Sequence, residues 1–201
     1  MDESRFQRAI ERIDAANADD PNTLTINGER RPKELTHARM LTAWVRRLRS
    51  DASEELLLAA RAHHIRRWAI ARDSYPDGRR GYLRWRTALQ QLHAVEVGEI
   101  MTAVGYAPET VARVQQLVRK HNLRRDAEVQ TLEDGLCLVF LETQLSALRR
   151  EHPADKIVDI LRKTWAKMSE AGRRLALDLD LPQEDRALVE RALEPAASGA
   201  D

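Results

Sequence analysis

The sequence predicts an all-α protein: one compact helical domain over residues 1–195, followed by a flexible tail at 196–201. Three observations predict it. Only eight Gly and seven Pro punctuate 201 residues, and a turn-dense β fold needs more of both. Apolar side chains recur at three-, four- and seven-residue spacings, which places them on one face of a helix. Hydrophobic residues make up 43% of the chain, enough to bury a core without a disulfide or metal staple.

Taken in order, residues 3–17 read as an amphipathic helix with Phe6, Ile10 and Ile13 on one face, stopped at Asp19-Asp20-Pro21. Residues 19–32 form an ordered loop, with Asn27-Gly28 as a turn signal and a short strand pair around Leu24 and Ile26. Helices follow at 33–50, 52–70, 81–105, 108–122, 126–150, 154–171 and 182–194, a bundle of seven or eight in all. Pro108 before Glu109, and Pro182 before Glu184 and Asp185, are start signals, because proline fits the first helical position and acids suit the first turn.

Thirty-three Lys and Arg against 32 Asp and Glu leave a net charge of +1, so the whole molecule makes no electrostatic case for nucleic acid or an acidic membrane. The lone Cys137 excludes an intramolecular disulfide and a multi-cysteine zinc site. No apolar run approaches membrane-spanning length, and the acidic start MDESRF lacks a signal peptide's pattern. A soluble, cytoplasmic protein is the expectation. Glycine-rich phosphate loops and the G-x-S-x-G elbow are absent, which leaves histidine, carboxylate and arginine chemistry.

Five of the six histidines lie between positions 37 and 121. His37 leads a stripe with Leu41, Trp44 and Leu48, His93 shares one with Leu89, Val97 and Val104, and His121 closes Val111, Val114 and Val118. Asp134 shares a face with Cys137, Leu138 and Leu141, where a carboxylate is costly unless paired, hydrogen-bonded or bound to metal. Imidazole with carboxylate suits a divalent metal ion, with Zn, Fe, Mn and Ni all compatible. Residues 61–86 hold eight Arg and two Asp, a local charge of +6, together with Trp68, Tyr75, Tyr82 and Trp85. Guanidinium groups bind oxyanions bidentately, so Arg67, Arg72, Arg79, Arg86 and Tyr82 are the candidate contacts to an anionic small-molecule substrate, with the Trp pair as packing. The turn signal Asp73-Ser74-Tyr75-Pro76-Asp77-Gly78 sets a loop beside this segment. Nucleic acid is the weaker partner, because no recognised binding motif accompanies the arginines.

The order ELTHARMLTAWV, LAARAHHIRRW, QLHAVEVGEIM, LVRKH and LEDGLCLVF resembles the plan of HD-domain metallohydrolases, with its core about residues 33–150. That resemblance implies a helical metal site with His37, His64, His93, His121 and Asp134 as ligands, and Glu133 and His63 as the catalytic acid–base groups. The plan has Asp where this chain has His64, which implies a mononuclear site or one whose carboxylate comes from Glu133 or Glu96. The string HHIRRWAIARDSYPDGRRGYLRWRTALQQLHA, followed by KHNLRRDAEVQTLEDGLCLVFLE, more closely resembles an uncharacterised conserved family, some of whose members are labelled glutamyl-tRNA synthetase-like. The synthetase label does not fit: HHIRRW and AKMSE mimic fragments of its signatures on helices, without the strands or the length of that catalytic domain. The reading that follows is a metal-dependent hydrolase of a phosphorylated small molecule. Its rivals are a non-catalytic anion- or nucleotide-binding module, an HD-like iron oxygenase and an RNA-binding protein.

Overall fold

A computed structural model describes residues 3–26, 28–120, 122–123 and 125–194. The protein is all-α apart from one small hairpin. Ten α-helices are present among the described residues, more than the seven or eight expected. The chain divides between Leu132 and Glu133 into two compact units. No described helix is long and apolar enough to cross a membrane.

The first unit opens with α1 (Glu3–Ala18), then the antiparallel strands β1 (Thr23–Ile26) and β2 (Glu29–Pro32), paired from Thr23–Pro32 to Ile26–Glu29. Gly28 turns the hairpin at φ +81°, a conformation that costs glycine nothing. Then follow α2 (Lys33–Leu48), α3 (Glu54–Ala62), two 3-10 turns at Arg67–Ala69 and Arg72–Ser74, α4 (Gly78–Ala103) and α5 (Pro108–Val118). Helix α1 packs against α2, α3 and α4, and α5 packs against α3 and α4. Their shared core includes Ile13, Val45, Leu56, Leu58, Ile65, Leu89, Met101 and Leu117, all nearly inaccessible to solvent. Helix α6 (Ala127–Thr143) runs across the division between the units.

The second unit continues with α7 (Leu145–Glu151), α8 (Ala154–Trp165), α9 (Glu170–Leu177) and α10 (Gln183–Leu193). Helix α10 packs on α7 and α8. Arg149 joins α7 to α10 by donating from Nε to Asp185 at 2.7 Å, and Ser146 Oγ donates to the same buried carboxylate.

Three expected helices are shorter than their apolar patterns suggest. The helix expected over 52–70 ends at Ala62, because the chain reverses there and Arg66 takes a left-handed conformation, φ +50°. The helix expected over 126–150 breaks at Gln144, next to Thr143, whose hydroxyl bonds back to the Val139 carbonyl at 2.7 Å and so bends the helix. The helix expected over 154–171 ends at Trp165, and Ser169 starts α9 by accepting a hydrogen bond from the Gly172 amide at 3.2 Å.

Candidate metal centre

Three segments of the first unit bring their polar side chains together. The first is the start of α2. Buried Asp20 accepts from the Glu34 amide at 2.8 Å through one oxygen and from the Asn22 amide at 2.9 Å through the other, which fixes where the helix begins. Glu34 therefore lies in the first turn, where the helix dipole favours a carboxylate. His37 follows three residues later on the same face, and both side chains are buried.

The second segment is the reversal after α3. Ser53 caps that helix by accepting from the Leu56 amide at 3.0 Å. At the far end, Asn17 of α1 accepts from the Arg66 amide at 3.2 Å and so supports the turn carrying His63, His64 and Ile65. The third is α4, tied to the same stretch twice. His93 Nδ1 meets the Ile65 carbonyl at 2.7 Å, and the Trp85 indole donates to the Ile70 carbonyl at 2.9 Å.

Glu34 Oε2 lies 3.3 Å from His64 Nδ1 and 3.6 Å from His37 Nδ1. These contacts are ion pairs only when the imidazoles are protonated, and Oε2 is buried without a partner in hydrogen-bond geometry. Each of Glu34, His37 and His64 offers one ligand atom, and the three atoms lie within 4.8 Å of one another, the spacing one metal ion requires. Ligand bonds of about 2.0–2.1 Å set in a tetrahedron place neighbouring donors about 3.3–3.4 Å apart, which the Glu34–His64 contact matches, while the Glu34–His37 contact is longer. The donor set of two imidazoles and a carboxylate fits a divalent ion.

Burial and neighbouring charges shift several of the titratable groups here. Burial alone would raise the Glu34 carboxyl, but the two imidazoles facing it prevail and hold it well below the usual carboxylate range. His64 is lowered, first by burial and then by the charges of Arg67 and Lys120, against the pull of Glu34. His93 falls to about 3, chiefly through burial. Since a carbonyl only accepts, His93 Nδ1 carries the proton, and its Nε2 lone pair is buried without a hydrogen-bond partner. A ring nitrogen bonded to a backbone carbonyl while the other keeps its lone pair is the arrangement that orients histidine ligands. His63 is likewise buried, lowered chiefly by burial, with Nδ1 unbonded, and its ring lies 4.7 Å from that of His64. The His93 ring is 5.8 Å from His64.

Arg67 Nε stands 4.0 Å from Glu34 Oε1, and its guanidinium lies over the Trp85 ring at 4.7 Å. Tyr82 sits 5.9 Å from Trp85, ring to ring, and carries Arg86 at 5.9 Å. The other sequence candidates have partners of their own or stand exposed. Arg72 donates to the carbonyls of Tyr75 and Pro76 at 2.9 and 3.2 Å, which holds its own loop, and Arg79 is exposed in the first turn of α4. Glu96 faces Arg66 at 3.7 Å. Glu133 and Asp134 belong to the second unit, where Glu133 lies 3.7 Å from Lys167 and Asp134 accepts from the Ser169 amide at 2.8 Å and from its hydroxyl at 2.5 Å. His121 lies outside the described residues. The residue that sequence reasoning missed is Glu34, although the Glu-x-x-His spacing in ELTH places both side chains on one helical face.

The chain is all-α, and its Glu34, His37 and half-buried His64 form a group that could hold a metal ion. More particularly, a family model described as "Domain of unknown function (DUF4202)" matches residues 7–189, and the chain belongs to that family. No curated protein and no solved structure matches it.

Proposed function

We propose that the protein is a metal-dependent hydrolase acting on an anionic, phosphorylated small molecule. The observation that carries this reading is the convergence of Glu34, His37 and His64, each of which offers one ligand atom within 4.8 Å of the other two. A divalent ion there supplies Lewis acidity and an acidified water. Glu34 would bring a carboxylate oxygen to the ion, and His37 and His64 would each bring an imidazole nitrogen. His93 is oriented by the Ile65 carbonyl, keeps a buried Nε2 without a hydrogen-bond partner and lies 5.8 Å, ring to ring, from His64, which makes it the candidate for a further ligand. His63 backs His64 and excludes water from its inner face. Arg67 and the aromatic pair beside it form the substrate side.

Metal analysis of the purified chain, of E34Q and of an H37A/H64A double variant tests the reading, paired with a phosphatase assay over a panel of phosphate esters. About one equivalent of a divalent metal, lost in both variants, together with hydrolysis that chelation abolishes, is the expected result. A wild-type chain that acquires no metal in any divalent solution overturns it.

A further inference from the structure

We infer that Arg67 and Arg86, stacked on Trp85 and Tyr82, form the seat for a phosphate group presented beside the Glu34, His37 and His64 cluster. This deepens the hydrolase reading and rests on it for the role of the cluster, though not for the binding of the anion.

Three part-buried arginines elsewhere in this chain have carboxylate partners within hydrogen-bond reach. Arg61 meets Asp14 at 2.6 Å, Arg113 meets Asp126 at 2.6 Å, and Arg149 meets Asp185 at 2.7 Å. Arg67 departs from that pattern: its side chain is only 31% exposed, yet its closest carboxylate contact is Glu34 at 4.0 Å, beyond hydrogen-bond distance. Arg86 has no ion pair among the described residues, and its charge weighs unfavourably on that of Arg67. Two incompletely compensated cations held near each other are costly unless an anion joins them.

The aromatic rings explain how the pair is presented. Trp85 is anchored by its bond to the Ile70 carbonyl and carries the Arg67 guanidinium, while Tyr82, against Trp85, carries Arg86. No hydrogen bond from either guanidinium is seen among the described residues, and their N–H donors match the oxygens of a tetrahedral oxyanion. Charge selects the ligand class. Two guanidiniums face the single Glu34 carboxylate 4.0 Å from Arg67, and a phosphate monoester of charge about −1.5 to −2 with several oxygens engages two donor forks more fully than a carboxylate does. Arg72 is excluded from this role because it is committed to the Tyr75 and Pro76 carbonyls.

Titration calorimetry on the full chain, metal-free and loaded with one equivalent of zinc, tests this with three probes: inorganic phosphate, phenyl phosphate and acetate. Saturable binding of a phosphate probe that weakens at least tenfold in R67K and in R86K, while R84A matches wild type, supports the inference, because lysine keeps the charge and loses the planar donors. Tighter binding of phenyl phosphate than of phosphate identifies an ester as the source, and equal binding identifies the free ion. Phosphate binding indifferent to both lysine variants, acetate binding as tight as phosphate, or no phosphate binding in either metal state overturns it. Circular dichroism confirms that the variants are folded. A chain that takes up no metal but binds phosphate through Arg67 and Arg86 refutes the hydrolase reading and leaves this site standing. Metal uptake with arginine-independent phosphate binding does the reverse.

Discussion

Glu34 concentrates the chemistry of the first unit in one carboxylate. Its oxygen faces two imidazoles at 3.3 and 3.6 Å and is buried without a partner in hydrogen-bond geometry. E34Q keeps the shape and removes the charge, so metal affinity should fall at least about a hundredfold, as read by competition with a chromophoric chelator, with the fold retained. Unchanged affinity would remove Glu34 from the ligand set. His93 gives the pH dependence. Its pKa is about 3 in the folded chain, against an ordinary 6.5, so between those values the unfolded chain binds the extra proton. Nothing is lost above pH 6.5, and stability declines as the pH falls below it. For the metal-free protein, this one group costs about 2 kcal/mol between pH 7 and pH 5. Urea melts of wild type and H93Q at both pH values should show the wild-type decline reduced by that amount in the variant. Equal declines would mean that His93 is not held neutral. His93 was legible in the sequence because it sits on an apolar stripe, whereas Glu34 was not, because a charged residue in a first helical turn ordinarily reads as solvated.

At the level of elements, the segment from His63 to Asp77 is held by groups remote in sequence: Asn17 from α1, and His93 and Trp85 from α4. Its apolar pattern continues through Ile65 and Trp68 as a helix would, so periodicity alone overran the true end at Ala62. Only the tertiary bonds reveal the reversal. Gly81 is the joint between this loop and α4, since a Cβ there would stand 1.8 Å from the Pro76 carbonyl oxygen, which is backbone and cannot swing aside. G81A should therefore cost about 1–3 kcal/mol in chemical denaturation, the range for forced overpacking. It should also weaken phosphate binding by displacing the Arg72-braced loop. Wild-type stability in G81A would show that the loop is not seated as described. In the second unit, Asp134 gives both oxygens to Ser169 at the start of α9, and a Cβ at Gly172 would stand 2.7 Å from its carboxyl carbon. D134N should lose about 1–3 kcal/mol through that buried charged bond while leaving metal stoichiometry at the Glu34 cluster unchanged. Metal loss at full stability would instead identify Asp134 as a ligand. Sequence reasoning placed Asp134 correctly on an inward face. An inward carboxylate that braces a helix start and one that binds metal have the same local sequence pattern, so the pattern could not tell them apart.

For the molecule as a whole, scarce Gly and Pro and helical apolar spacing were enough to make the all-α class legible, because class depends on patterns repeated along the entire chain. The division at Leu132 was not legible, since it falls inside α6, where no breaker, linker or change of composition marks it. The near-zero net charge was a poor guide to the site, because it averages the arginine segment against acids elsewhere. The division has a consequence for stability. All three ligands of the candidate centre lie in the first unit, so metal binding free energy enters the folding of that unit. At free metal a hundredfold above Kd, the folded form gains about 2.7 kcal/mol. A protein of this size gains about 2–4 °C per kcal/mol, so calorimetry should show the transition of the first unit moving up by about 5–10 °C on adding metal and returning on chelation. H37A/H64A should abolish the shift and R67K should keep it, because lysine there leaves the three donors in place. A transition that does not move with any divalent ion, or that moves equally in H37A/H64A, would mean that the buried Glu-His-His cluster is a polar core and not a metal centre.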